Sequence, residues 1–433
     1  MLIPLNSYHQ NTKHSYNSIR TNPNRVDWNN PPNKFKFYSK DYKRVHLNSE
    51  NKNYNFLYLI SGISAKKTYP GVEYYLRVNP SAGALYPNEV YFQVRNIDGF
   101  EDGIYHLEVG SSSAVLLYKL EPNEGIENLL NLSYSVDGFI FFISSLYFRS
   151  SWKYKNRAFR YCLLDAGHLI GTMEASSYLF DKNFEILYDF SKEKLNEFFS
   201  FDEKEFFTSI VIVGDKKESK KESFLLELPT LDGASYVDEN ICFFEKNEMV
   251  EIAYKESLKI CDKKAQEKRA VFNFQKQRLQ DTIFKRRSIR EFTKQSISKL
   301  QFESIMGVVN QAIKSDCDEQ VDIYYTINRV EGMILGLYKN GELLKTGDFN
   351  SKAGYLCLEQ DLGKSSAVTF FLTSKAKNYQ ELYQKAGLLG HRLYIASNYL
   401  DIGCSGIGAY YDDEVCEFIE ENTMVLYALA IGN

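Results

Sequence analysis

Two stretches of the chain carry one pattern of apolar and polar positions. Glu89 to Tyr105 reads EVYFQVRNIDGFEDGIY, and Asp322 to Tyr338 reads DIYYTINRVEGMILGLY. They align without a gap, pairing Tyr91 with Tyr324, Gly99 with Gly332, Gly103 with Gly336 and Tyr105 with Tyr338. Each opens as an aromatic and β-branched run, which predicts a strand, and a glycine turn then leads to a second strand. A second correspondence lies in LLDAGHLIGTMEASSYL and AGLLGHRLYIASNYL. Apolar residues recur there at three- and four-residue steps, the signature of a helix. The Ala-Gly pair inside each (Ala166-Gly167 and Ala386-Gly387) costs helix stability, about 1 kcal/mol for the glycine. That cost is best explained by another helix, or a ligand, approaching the backbone closely. A closing strand, Ile210 to Gly214 against Leu429 to Gly432, completes the set.

The same three elements in the same order define two copies. The first runs from about Asn51 to Asp215 (51–215) and the second from about Asp281 to Asn433 (281–433). Residues 216–280 are the linker. It starts with the charge run KKESKKE from Lys216 to Glu222 and goes on as a connecting strand and a charged helix. Residues 1–50 are polar and Asn-rich, and are expected to wrap the body as an extension.

Composition narrows the class without naming an activity. The chain has 433 residues, enough for two or three cores, with 44% hydrophobic and 25% charged residues. Against 52 basic residues stand 56 acidic ones, a net charge of -4, so neither nucleic acid nor an anionic membrane is an expected partner. Seven scattered cysteines show no ligand spacing, which argues against a disulfide framework and against a metal site. A reduced cytoplasmic protein without signal peptide or membrane span is the expectation. The 15% aromatic content suits core packing first, and flat walls around a ring system second.

Four segments carry candidate chemistry. Arg286, Arg287, Ser288 and Arg290 stand within five residues; guanidinium forks and a hydroxyl of this kind can surround a phosphate, although a solvated basic helix end reads the same way. Asn79-Pro80-Ser81-Ala82-Gly83-Ala84-Leu85-Tyr86-Pro87 is bracketed by prolines, which makes it a rigid loop against which a planar ring could lie, or a plain turn. Gly403-Cys404-Ser405-Gly406-Ile407-Gly408-Ala409 follows a helix rather than a strand. It is therefore not a dinucleotide fingerprint but a loop, close to a ligand or merely capping the helix. In Trp152-Lys153-Tyr154-Lys155, the lysine beside Tyr154 can favour its phenolate and make it an acid or base; the alternative is a helix start with a solvated basic face.

Together the strings RRSIREF, RVNPSAGALYPNEVYF followed by GIYHL, and WKYKNRAFRYCLLDAGH resemble the nitroreductase superfamily, in particular its SagB/ThcOx-type dehydrogenase branch. YHQNTKHSY and NPPNKFKFY are similar to that branch's leader region. The resemblance implies an α+β fold in which each copy holds a mixed sheet flanked by helices. It implies FMN as cofactor, its phosphate on Arg286, Arg287, Ser288 and Arg290. Pro80, Ser81, Ala82 and Gly83 would lie against the isoalloxazine and ribityl, with Gly406, Ile407 and Gly408 passing on the phosphate side. The branch's proton-removing Lys-Tyr pair falls on Lys153 and Tyr154.

Such proteins are intertwined homodimers, and here the motifs divide between the copies. The first copy has PSAG and Lys-Tyr but no arginine cluster. The second has RRSIR and the glycine segment, but Ser315-Asp316-Cys317-Asp318-Glu319-Gln320 where PSAG would stand, and the first copy's counterpart of the glycine segment, near Phe180 to Asn183, lacks glycine. The expectation is a monomeric pseudo-dimer with one complete site and one dead one. Its activity would be oxidation of azoline rings, or a related amino-acid-derived substrate, in peptide natural-product modification, with other enzymes of that pathway as partners. NAD(P)H-driven reduction of nitro compounds, quinones or flavin is an alternative. A catalytically degenerate scaffold or peptide-binding subunit is another, against which the intact RRSIR and PSAG argue.

Overall fold

The computed structural model describes residues 5–21, 26–48, 50–69, 72–122, 124–218, 230–231, 244–258 and 264–433. The later part of the KKESKKE run and the connecting strand expected after it lie outside the described residues.

The N-terminal segment gives helices α1 (Leu5–Asn11) and α2 (Tyr16–Thr21) and strand β1 (Arg44–His46). Helix α3 (Lys52–Ser61) follows; Asn51 caps it, accepting from the backbone N–H groups of Asn53 and Tyr54. Then come the hairpin β2 (Ile63–Tyr69) and β3 (Val72–Arg77), and strands β4 (Asn88–Arg95), β5 (Gly103–Glu108), β6 (Ser113–Lys119) and β7 (Tyr134–Leu146). After helices α4 (Phe148–Tyr154) and α5 (Ala158–Leu179) come β8 (Glu185–Leu187), α6 (Lys192–Phe198) and β9 (Glu205–Glu218). Helices α7 (Glu248–Glu256) and α8 (Lys276–Lys285) connect to the C-terminal half. There β10 (Ile297–Ser298) leads into α9 (Lys299–Val309), which opens on a Ser298/Gln301 capping box. Next stand β11 (Asp322–Ile327), β12 (Val330–Glu331), β13 (Gly336–Lys339) and β14 (Glu342–Thr346). Helices α10 (Asn350–Leu356) and α11 (Asp361–Ser365), strand β15 (Val368–Ser374) and helix α12 (Tyr379–Tyr399) follow; β16 (Gly403–Ile407), α13 (Asp412–Ile419) and β17 (Met424–Gly432) close the chain.

Two large sheets result. The first has the order β1-β6-β5-β4-β7-β9-β8 and the second β14-β13-β11-β15-β17-β16. Apart from the added β1, the orders match strand for strand, so the sequence repeat is also a topological one. Within these sheets the strand pairings are antiparallel. The expected mixed character sits at the margins: β10 pairs β12 in parallel, and the edge strands β8 and β16 take parallel bridges from Ser315 and Ser288. Alternation along β7 explains the layering. Phe139, Phe141 and Ile143 enter one core beneath α3 and α5, while Ile140 and Phe142 enter another on the opposite face.

Helices α5 and α12 pack together at the centre, and the two Ala-Gly pairs explain how closely. A Cβ at Gly167 would stand 2.1 Å from the Gln384 carbonyl oxygen, and one at Gly387 would stand 2.2 Å from that of Leu164. The two backbones touch at glycine, as the helix-breaking composition implied. None of the described helices is long and apolar enough to cross a membrane.

Candidate functional site

The first-half loop between β3 and β4 is held by α5. Ser81 Oγ donates to Asp165 Oδ2 at 2.5 Å, the Ala82 N–H donates to Asp165 Oδ1 at 3.1 Å, and the Tyr86 N–H donates to Ser81 Oγ at 2.8 Å. Burial pushes the Asp165 carboxyl up to about 7; the bonds from Ser81 and Ala82 oppose that shift only partly. At the tip Gly83 has φ +64, the left-handed region, where a side chain is strained. A Cβ there would lie 2.9 Å from the Tyr154 hydroxyl and 3.1 Å from Lys153 Nζ. Helix α4 thus brings the Lys-Tyr pair onto the loop glycine.

Tyr154 stacks on Tyr161, ring centroids 4.0 Å apart, and the Tyr161 hydroxyl donates to the Gly408 carbonyl at 3.0 Å. A Cβ at Gly408 would meet the Tyr161 ring at 2.3 Å. The glycine segment of the C-terminal half therefore closes on the Lys-Tyr motif of the N-terminal half. This segment is not the loop that its composition suggested. Gly403 to Ile407 is strand β16, paired with β17, and its glycines leave room for side chains: Cβ atoms at Gly403 and Gly406 would collide with Ile289 and the Tyr427 hydroxyl. Its counterpart in the first sheet is β8, just beyond Phe180 to Asn183.

The arginine cluster lies on the same side. Ser288 bridges Cys404 of β16, and its hydroxyl lies 2.7 Å from the Tyr394 hydroxyl, which accepts from the Gly406 N–H at 2.7 Å. Arg286 is buried, donating through Nε to the Val78 carbonyl at 2.9 Å. Arg287 donates to the Ser64 carbonyl at 2.9 Å and also to the carbonyls of Phe284 and Arg286. Arg290 is exposed and forms no ion pair or hydrogen bond among the described residues.

The electrostatics correct one expectation. Tyr154 is not shifted toward its phenolate. Burial, with Tyr161 and Asp165 adding, raises its pKa above the usual phenol range, and Arg290 offsets this only in part. Lys153 moves the other way, lowered by burial and then by Arg290. The lysine alone does not outweigh desolvation of the phenol. Two buried histidines have structural partners: His106 Nε2 meets Glu89 Oε2 at 3.0 Å, and His168 Nε2 meets the Tyr427 hydroxyl at 2.9 Å. Burial lowers His168 to about 3, so it is neutral.

Asp165, Tyr161, Tyr394 and Tyr427 belong to this site and were not singled out from the sequence. Asp165 had a signal, since it opens the first Ala-Gly match while Lys385 opens the second. The tyrosines had none among the 32 of the chain.

The matching pattern of sheets leads to known proteins. Residues 283–433 match the nitroreductase family model. A crystal structure of a protein of Anabaena variabilis assigned as a nitroreductase superposes with a TM-score of 0.80 at 22% identity, covering 99% of both chains. The chain has the nitroreductase fold. A Methanocaldococcus jannaschii protein, likewise assigned as a nitroreductase, is 32% identical over 92 residues; these cover 21% of this chain and 46% of that relative, so the chain spans about half of its length.

The residues present fit a flavin mononucleotide. Arg286, Arg287, Arg290 and Lys153 have no carboxylate partner among the described residues, which suits a phosphate and a ring that gains negative charge on reduction. Gly83, Gly406 and Gly408 let the Lys153, Tyr154, Tyr427 and Tyr161 side chains close on the backbone around these cations.

Proposed function

We propose that the chain is an FMN-dependent oxidoreductase with one composite site, built from both halves of a monomeric pseudo-dimer whose first copy spans 51–215 and second 281–433. Arg286, Arg287, Ser288 and Arg290 would hold the phosphate, and Pro80 to Gly83 with Gly406 to Gly408 would border the ring. The bound flavin would supply hydride acceptance. The observation that carries this reading is the convergence of Lys153 Nζ and the Tyr154 hydroxyl on Gly83, beside cations that no carboxylate among the described residues neutralises.

The substrate class we propose is the azoline ring of a modified peptide, which the resemblance to the SagB/ThcOx branch supports. The pair then divides its labour. Tyr154, whose pKa burial raises, keeps its proton and donates a hydrogen bond. Lys153, whose pKa burial lowers, is the member nearer to releasing a proton, so it is the better base toward the substrate carbon. Tyr161 and Gly408 fix Tyr154 from behind and keep the pair oriented.

The test is anaerobic mixing of the FMN-loaded protein with an azoline-bearing peptide and, separately, with NADH or NADPH. Bleaching of the visible flavin band by the azoline, with one azole formed per flavin reduced, supports the reading. Bleaching by the nicotinamide alone moves the function to a reductase.

A further inference from the structure

A cavity of about 250 Å³ opens beside the Lys-Tyr pair. It runs from Gly83 and Lys153 out to the hairpin of β2 and β3 and to the N-terminal segment around Trp28 to Phe35. Its walls are aromatic: Trp28, Phe35, Tyr74, Tyr75, Tyr86 and Trp152. Trp28 and Trp152 meet edge to face, centroids 5.2 Å apart, and the Trp152 indole N–H donates to the Asp27 carbonyl at 2.8 Å. The N-terminal segment therefore supplies one wall of this cavity.

The charged lining residues are all cationic: Lys34, Arg77 and Lys153. Arg77 is 2% exposed and its Nε has no hydrogen-bond partner among the described residues; one terminal nitrogen donates to the Lys34 carbonyl at 3.1 Å. Glu89 is the nearby carboxylate that favours its charge, and it is shared with Arg149 at 2.5 Å and with His106. At the rim, the Glu73 carboxylate is held by Lys66 at 2.6 Å and by the Tyr75 hydroxyl at 2.6 Å. An under-coordinated, desolvated guanidinium in an aromatic-walled cavity is a receptor for a planar anion.

We propose that this cavity takes a nearly planar azoline ring bearing a free carboxylate, together with the aromatic azole that its oxidation yields. This deepens the flavin reading and rests on it for the reaction: the ring to be oxidised carries its acid group unblocked, as at a free C-terminus, instead of lying inside a longer peptide. The size agrees, because roughly 300–1,000 Å³ is usual for drug-sized ligands, and this cavity suits one or two rings rather than a length of backbone.

The chain contains two tryptophans, and both line the cavity, so intrinsic fluorescence reports its occupancy directly. The probes are 2-phenylthiazole-4-carboxylate and its primary amide, titrated into the flavin-free and the FMN-loaded protein. The expected result is a change in tryptophan emission with about tenfold tighter binding of the acid, the worth of one charge-assisted hydrogen bond. Lys34→Glu, at an exposed position, should weaken the acid about tenfold and leave the amide unchanged. Arg77→Gln, checked for folding by its melting curve, should abolish the preference. Equal or tighter binding of the amide, binding without a tryptophan response, or binding of neither probe overturns the proposal. If the acid preference holds in a protein that takes up no FMN, the flavin reading fails and this one stands. FMN uptake without acid preference gives the reverse.

Discussion

Two equivalent junctions in the molecule are built from the same parts and finished in opposite ways. In the N-terminal half, the loop before β4 meets α5 at Asp165, whose carboxylate collects the Ser81 hydroxyl and the Ala82 N–H. In the C-terminal half, the segment before β11 meets α12 at Lys385, whose Nζ donates to the carbonyls of Cys317 and Glu319 at 2.7 and 3.0 Å. A carboxylate gathers donors and leaves the loop's glycine tip free to face Lys153 and Tyr154. An ammonium gathers carbonyls and draws the loop down onto the helix, where buried Glu381 lies 2.5 Å from Lys385 as its ion partner. The sheet order is retained on both sides. What differs is the sign of one residue next to each Ala-Gly pair, and it separates an open junction from a filled one.

The comparison can be broken most severely at Lys385. Lys385→Met would strand the Glu381 carboxylate and two carbonyls in the interior, and loss of one partner of a buried pair costs about 3–5 kcal/mol. The expected outcome is a markedly lower denaturation midpoint with unchanged flavin content per folded chain; flavin loss at full stability would show that the filled junction takes part in the site.

A smaller global effect but a sharper functional one is expected at Gly83. Gly83→Val places a β-branched residue at φ +64 against the Tyr154 hydroxyl, with about 1–3 kcal/mol of local strain. FMN affinity should fall about tenfold to a hundredfold, read by titration of the flavin-free protein, while the melting temperature changes little.

A pH-dependent effect is expected at Asp165. Its folded pKa, about 7, lies above the unfolded value near 3.8, so the folded protein binds the extra proton. Its contribution to stability is therefore full below about pH 4 and is lost as pH rises through 7. Asp165→Asn should remove that part of the pH slope, measured by denaturant unfolding at several pH values. A variant with the same slope as the parent would assign the titration to another group.

Much of this was legible in the sequence, for physical reasons that differ by element. The strand pair at Glu89 to Tyr105 and its repeat showed because aromatic and β-branched residues recur along these buried strands and glycine marks the turns. The α5–α12 contact showed because a glycine inside a helix needs a reason, and Gly167 and Gly387 supply it to each other. The glycine segment at 403–409 reads as a loop, yet Gly403 to Ile407 form strand β16 and only the residues after Ile407 lie outside a strand. Strand residues usually carry side chains to pack, whereas here Ile289 and Tyr427 fill the space that β16 leaves empty. The direction of the Tyr154 shift is hidden from the sequence, because adjacency shows the lysine but not the depth of burial that overrides it. Asp165 and Lys385 stood in equivalent places in the repeat, but their opposed roles needed three-dimensional partners that lie dozens of residues away.

We propose that only one of the two junctions belongs to a cofactor site. The most direct measurement is the amount of FMN released per chain from purified, flavin-saturated protein, with the molar mass determined by light scattering on the same sample. One FMN per polypeptide on a monomer is the expected result. Two FMN per polypeptide, or one that is retained only by a dimer of chains, would contradict it.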